Sequence, residues 1–174
     1  MSDWRLATLS DVVALLALVN SAYRGQSSRA GWTTEADLLD GQRTDAQELS
    51  ALLHQADSCI LLQEGAQGLI GCVHLHRRDA HTAYLGMLVI RPDLQRQGLG
   101  HRLLHAAETH ARSSWGVDTM QMQVISCRHE LLAWYERRGY RRSGETLPFP
   151  DDPRCGLPRV PGLQFAVLRK ALAA

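Results

Sequence analysis

The residues best placed to do chemistry lie in Gln95-Arg96-Gln97-Gly98-Leu99-Gly100-His101, directly behind the apolar run Tyr84-Leu85-Gly86-Met87-Leu88-Val89-Ile90 and the breaker Arg91-Pro92-Asp93-Leu94. Two glycines spaced Gly-x-Gly at a helix start let backbone amides crowd an anion, where the helix dipole adds partial positive charge. The spacing predicts a cradle for a phosphate or diphosphate. A nucleotide P-loop would need Gly-Lys-Ser/Thr after its glycines, and His101-Arg102 stand there instead. A dinucleotide fingerprint would need a third glycine, which is missing. His101, His105 and Glu108 have an i, i+4, i+7 spacing that metal ligands use. They sit directly away from the apolar stripe of their helix, so a solvated polar face is the expected reading.

The elements that must position this loop follow from periodicity. A fully apolar stretch of strand length reads as a strand buried on both faces, and the proline ends it. Residues 99–112 wind into an amphipathic helix with Leu99, Leu103, Leu104, Ala106, Ala107 and Ala111 on one side and His101, Arg102, His105, Glu108 and Arg112 on or beside the opposite side. Upstream, residues 3–9 read as a strand, and Ser10 as the N-cap of a helix running to Tyr23. Thr33 or Thr34 is expected to cap a short helix over 35–40. Thr44 with Gln47 has capping-box spacing for another, carrying Leu49, Leu52 and Leu53. Cys59 to Gln63 and Leu69 to His76 read as a hairpin. Residues 119–125 alternate polar and apolar as a half-buried strand does. Ser126 caps a helix over 127–138 that stops at Gly139, and Tyr140 to Gly144 starts another strand. Residues 147–161 hold five of the six prolines and read as a long irregular connection. Leu163 to Arg169 closes the sheet.

The 174 residues suit one domain over 1–174, and 45% hydrophobic with 21% charged residues is ordinary for a globular enzyme. A net charge of +1 with interspersed signs offers no broad basic face for nucleic acid. The N-terminus lacks the basic-then-apolar order of a secretory signal, and no apolar run approaches the roughly 20 residues of a membrane span. Cys59, Cys72, Cys127 and Cys155 form no Cys-x-x-Cys pair, so the cytoplasm is the expected location.

Gln95, Gly98 and Gly100 fill Gln/Arg-x-x-Gly-x-Gly/Ala, and this motif behind an apolar strand resembles the GNAT superfamily of acyl-CoA-dependent N-acyltransferases. The element order resembles the GNAT fold over essentially the whole chain. That resemblance implies an α/β fold: a mixed, mostly antiparallel sheet of about seven strands, helices on both faces, and a splayed central strand pair. It implies acetyl-CoA as acyl donor, with main-chain contacts from Met87, Leu88 and Val89, and Gln95, Arg96, Gln97, Gly98, Leu99, Gly100 and His101 around the diphosphate. Trp134-Tyr135-Glu136-Arg137-Arg138-Gly139-Tyr140 resembles the second GNAT motif, in which Tyr135 would be the catalytic acid toward the CoA sulfur. The chemistry suits a phenol, which stays protonated at neutral pH while a thiol of pKa about 8.5 leaves better with a proton supplied. Many members carry Asn seven residues before that tyrosine; here Arg128 stands there. Trp32 and Glu35, with Asp37, fall where the fold borders its acceptor site, and would receive a cationic amine. Glu35, His74 and His76 are candidates for a general base.

The implied activity is direct acetyl transfer from acetyl-CoA to an amine, a small molecule or a peptide, without metal, nucleic acid or membrane. A homodimer is compatible with the resemblance. The alternative is a non-catalytic acyl-CoA-binding sensor or interaction module. An acyl-thiol route through Cys127 lacks a readable His/Asp partnership.

Overall fold

Strands form where apolar residues alternate or run together, and helices where they recur at helical spacing. The computed structural model describes residues 4–173; Asp3, in the first expected strand, lies outside them. The order is β1 (Trp4–Leu6), α1 (Val12–Tyr23), β2 (Leu39–Asp40), α2 (Ala46–His54), β3 (Ser58–Gly65), β4 (Gly68–Arg77), β5 (Thr82–Ile90), α3 (Leu99–Trp115), β6 (Thr119–Ile125), α4 (His129–Glu136), β7 (Arg141–Pro148), β8 (Leu157–Pro158) and β9 (Gln164–Ala171). A seven-stranded sheet runs β1-β3-β4-β5-β6-β9-β7, and β2 pairs with β8 in a separate two-stranded ribbon. Every neighbouring pair in the large sheet is antiparallel except β5 with β6. This is the mixed, mostly antiparallel α/β sheet with helices on both faces that the sequence implies.

The two faces carry separate cores. Leu15, Leu49, Ile60 and Leu62 bury completely between α1, α2 and one face. Leu103, Leu104, Met120 and Leu132 do so between α3, α4 and the other. Each such side chain contributes about 1.5–3 kcal/mol of transfer free energy. Met120 and Met122 are core residues, as their alternation predicts.

The feature that makes a site is where the sheet opens. β5 pairs with β6 only over Thr82↔Thr119, Ala83↔Met120 and Tyr84↔Gln121, after which the strands part. On its other edge β5 bulges against β4 between Cys72 and His74, and Met87 takes a φ of +46°. A single residue in that region costs on the order of 1–3 kcal/mol. The kink turns β5 away from β6 and leaves a cleft through the sheet.

Several local expectations change. Residues 35–38 form a turn rather than the start of a helix over 35–40, because Leu39 and Asp40 pair with Pro158 and Leu157. The same pairing gives the 147–161 connection a strand of its own. Thr8, not Ser10, precedes the first helical turn, and α1 proper starts at Val12. Asp45 rather than Thr44 caps α2, its carboxylate accepting from Glu48 N at 2.7 Å. α4 starts at His129 because Ser126 and Cys127 form a turn. Glu108 is buried, not solvated: Lys170 Nζ reaches its carboxylate at 2.8 Å and the Tyr140 hydroxyl donates to it at 2.8 Å.

Candidate active site

Two cavities meet at the parting of β5 and β6. The first, about 210 Å³, is lined by Trp32, Leu88, Gly98, Gly100, Trp134 and Arg138, among others. The second, about 280 Å³, lies beyond it and is lined by Arg24, Glu35, Arg43, Tyr84, Arg128 and Phe149, among others. Tyr23, Leu88, Leu131 and Tyr135 line both and so form the junction.

The floor of the first cavity is the N-terminus of α3. Gly98 is the N-cap at φ +77°, a left-handed position that glycine takes without strain, and no side chain caps the helix. The first helical bond is Arg102 N to Gly98 O at 3.2 Å, so among the described residues the amides of 96–101 have no main-chain acceptor. Uncapped amides at the positive end of a seventeen-residue helix are a ready anion site. Gln95 differs, since its amide closes a turn onto Pro92 O at 3.4 Å. Its side chain accepts from Trp32 N at 2.8 Å and donates to Thr33 Oγ1 at 2.8 Å and Ile90 O at 3.0 Å. A Cβ on Gly31 would stand 2.5 Å from Gln95 Oε1, so glycine there permits this staple. On the facing wall, the Arg138 guanidinium stacks 3.7 Å over the Trp134 ring. Its Nε is buried without a partner.

Tyr135 is buried, its ring edge-on to Trp134 at 5.0 Å and to Tyr140 at 5.7 Å. Tyr140 is itself fixed by Glu108, so the tyrosine is held by a satisfied buried network. Burial first, and Tyr23 second, push the Tyr135 phenol well above its ordinary pKa, while Arg128 pulls the other way. It is a neutral donor at any physiological pH. Tyr23 faces it from the end of α1, its hydroxyl donating to Leu88 O at 2.9 Å and its pKa pushed up to about 12 chiefly by burial. An uncapped helix end, an opened strand and a protonated phenol thus converge on one cleft.

A family model described as acetyltransferase (GNAT) family matches residues 23–140. That span contains β5, the Gly-x-Gly turn, α3 and α4. The chain belongs to the GNAT acetyltransferase family. No curated protein matches the sequence. Among solved structures, the ribosomal-protein-alanine N-acetyltransferase from Brucella melitensis is 20% identical, with 97% of this chain and 99% of that one covered at a TM-score of 0.70. An N-acetyltransferase from Staphylococcus aureus Mu50 is 15% identical over 98% of each chain, TM-score 0.70. A GNAT family acetyltransferase from Elizabethkingia anophelis with acetyl-CoA bound is 17% identical over 72% of this chain and 82% of that one, TM-score 0.58. At these identities the likeness is one of fold.

On this GNAT scaffold the residues singled out by sequence distribute unevenly. Arg96, Gly98, Gly100, His101, Leu88 and Tyr135 line the first cavity together. Met87 and Val89 instead bury their side chains against the α1 face. Trp32 and Glu35 separate. Trp32 lies 6.3 Å from Trp134 in the first cavity, whereas Glu35 lines the second. Glu35 is also no open receptor for a cationic amine, which corrects the expectation from sequence. Its oxygens are taken by Arg24 at 3.3 Å and Arg128 at 3.1 Å, with all three side chains at most 10% exposed. Arg128, at the asparagine position, also donates to Thr33 O at 2.6 Å and so pins the 33–35 turn. Asp37 pairs with Arg29 at the surface. His74 bonds Ser58 Oγ at 2.9 Å, and burial, then His76, lowers its pKa to about 4. Neither His74 nor His76 lines either cavity.

Sequence reasoning missed Arg43 as a cavity residue. Tyr23 carried a signal, since a phenol on the apolar face of a helix needs a buried acceptor for its hydroxyl. Arg43 carried none, because nothing in its local sequence marks a side chain that lines a cavity.

Proposed function

We propose that the chain is an acetyl-CoA-dependent N-acetyltransferase that moves the acetyl group directly to an amine, with Tyr135 as general acid. The observation that carries this reading is the junction: two cavities, one ending on uncapped helix amides, joined beside a buried protonated phenol. The amides of Arg96, Gln97, Gly98, Leu99, Gly100 and His101 would hold the diphosphate, helped by the Arg138 guanidinium. The edge of β5 released by β6 would take the pantetheine arm through Met87, Leu88 and Val89. Acetyl-CoA supplies an activated thioester whose carbon–sulfur bond breaks as the amine nitrogen bonds the acyl carbon. The Tyr135 hydroxyl gives its proton to the departing thiolate, and the proton the amine releases to water restores the phenol. Rings at Trp134 and Tyr140 pack edge-on against the Tyr135 ring, and the Tyr23 hydroxyl donates to the Leu88 carbonyl at the junction. A sensor that only bound acyl-CoA would have no use for the second cavity. The four free thiols fit a reducing, cytoplasmic setting.

The test is thiol release from acetyl-CoA across a broad amine panel, for the wild type and Tyr135→Phe. The expected result is a turnover loss of about 10²–10⁴-fold with acetyl-CoA affinity retained. Equal turnover by the variant would remove the acid role. No release with any amine would remove the enzyme.

A further inference from the structure

The second cavity has a definite electrostatic character. Three guanidinium groups, Arg24, Arg43 and Arg128, line it with two carboxylates, Glu35 and Glu48. Glu35 is shared between Arg24 and Arg128. Glu48 turns to its own helix, accepting from Thr44 Oγ1 at 2.6 Å. Arg43 is left over. Among the described residues its guanidinium has no carboxylate within 4.0 Å and no hydrogen-bond acceptor; it lies over the Tyr23 ring, with Cζ 5.8 Å from the centroid. Its backbone is fixed, since Arg43 N donates to Asn20 Oδ1 at 2.7 Å, and the next amide does the same at 3.2 Å. The side chain therefore leaves an anchored base, enters a partly enclosed cavity and finds no anion. A half-buried guanidinium lining a cavity without an anionic partner is an incomplete site for an oxyanion, which it binds through a planar fork of donors.

The walls limit the occupant. Phe149, Pro150 and Cys155 of the proline-rich connection line the cavity opposite α1. That connection is fastened by Arg24 to Cys155 O at 3.0 Å, by Arg159 to Ala36 O at 2.8 Å and by the pairing of β2 with β8. The enclosed space, about 280 Å³, falls at the small end of ligand pockets, which typically run from about 300 to 1,000 Å³.

From this placement we infer that the acceptor is a small zwitterion, an amine bearing a carboxylate or comparable oxyanion, with Arg43 binding the anion while the amine lies at the Tyr23–Tyr135 junction. The inference rests on the acetyltransferase reading above and gives its acceptor a chemical class. Glu35, locked between two arginines, then serves to keep them buried and leaves the one unpaired cation to choose the substrate.

The experiment is thiol release from acetyl-CoA with L-leucine, L-methionine, L-phenylalanine and L-glutamate, each against its α-carboxamide, which keeps the amine and removes the α-carboxylate. In the wild type at least one free acid is expected to exceed its amide in kcat/KM by about ten- to hundredfold, the range of a charge-assisted hydrogen bond. In Arg43→Gln that preference should vanish, mainly through KM, while Arg43→Lys retains part of it. Acetyl-CoA affinity, measured by calorimetry, reports that each variant is folded. Amides used as well as the acids, or turnover confined to amines without an anionic group, would overturn the inference while leaving the acetyltransferase standing. An acid preference that survives Arg43→Gln overturns the role of Arg43. Absence of release with every compound, and with the broad amine panel, overturns both. If Arg43→Gln does not fold, the wild-type acid-to-amide ratio and Arg43→Lys still decide the matter.

Discussion

Glu35→Gln separates two opposed views of the second cavity. If this carboxylate received a cationic amine, its loss would act on substrate binding and leave stability alone. The structure places it between Arg24 and Arg128, with side-chain exposures of 5% for Arg24, 10% for Glu35 and 9% for Arg128. The cluster carries one negative and two positive charges, so removing Glu35 leaves two buried cations facing each other with no counter-charge. Removing one partner of a buried ionic cluster costs about 3–5 kcal/mol. In a domain of this size each kcal/mol lowers Tm by about 2–4 °C, so the expected fall is about 6–20 °C. Arg128→Gln leaves the Arg24–Glu35 pair neutral and intact, losing only hydrogen bonds to Glu35 and Thr33 O, and should cost about 1.5–3 kcal/mol. Urea unfolding of the two variants against wild type reads the order directly. A loss below about 1 kcal/mol for Glu35→Gln, or one smaller than that for Arg128→Gln, would refute the buried-clamp account.

Two further outcomes test other parts of the molecule. His74 has its pKa lowered to about 4 from 6.5, chiefly by burial, so between those values the unfolded chain binds a proton that the folded chain does not. Stability from this group is fully present above about pH 6.5 and is lost as pH falls toward 4, at most about 3 kcal/mol; urea midpoints from pH 7 to 4 should fall less steeply for His74→Gln than for wild type, and parallel slopes would contradict the assignment. Gly98→Ala places a Cβ in open space but at φ +77°, so strain alone should cost about 1–2 kcal/mol and weaken acetyl-CoA binding measured by calorimetry, whereas unchanged affinity would show the turn is not part of the cradle.

What could be read from sequence was what is local. The apolar run of β5, its proline stop, the two glycines and the stripe of α3 are neighbours in the chain, and each obeys a rule that acts over a few residues. The 119–125 strand was legible to the residue for the same reason. Tyr135 was singled out by the resemblance of its segment to the second GNAT motif, and it lines both cavities. The misreadings share the opposite property. Glu108 looked solvated on its own helix because Lys170, 62 positions away, supplies its partner. Residues 35–40 looked helical because the strand that claims Leu39 and Asp40 is the two-residue β8. Glu35 looked like an open acid because one of its guanidiniums, Arg128, stands 93 positions on. A local pattern states what a residue can do; long-range pairing decides which of those options is already taken.

The same long-range contacts join the two cavities into one device. Gln95, at the root of the helix cradle, holds Trp32 and Thr33 by two hydrogen bonds and ties them by a third to Ile90 O at the end of β5. Arg128, at the start of the helix that carries Tyr135, holds Thr33 and Glu35. Residues 32–35 are therefore gripped from both sides: from the loop that would bind the donor's diphosphate, and from the helix that carries the candidate acid. Thr33 belongs to the first cavity and Glu35 to the second, so one short turn supplies a wall to each. The position where many GNAT relatives carry asparagine has here taken a longer, charged side chain, and its reach ties Thr33 and Glu35 to the start of α4.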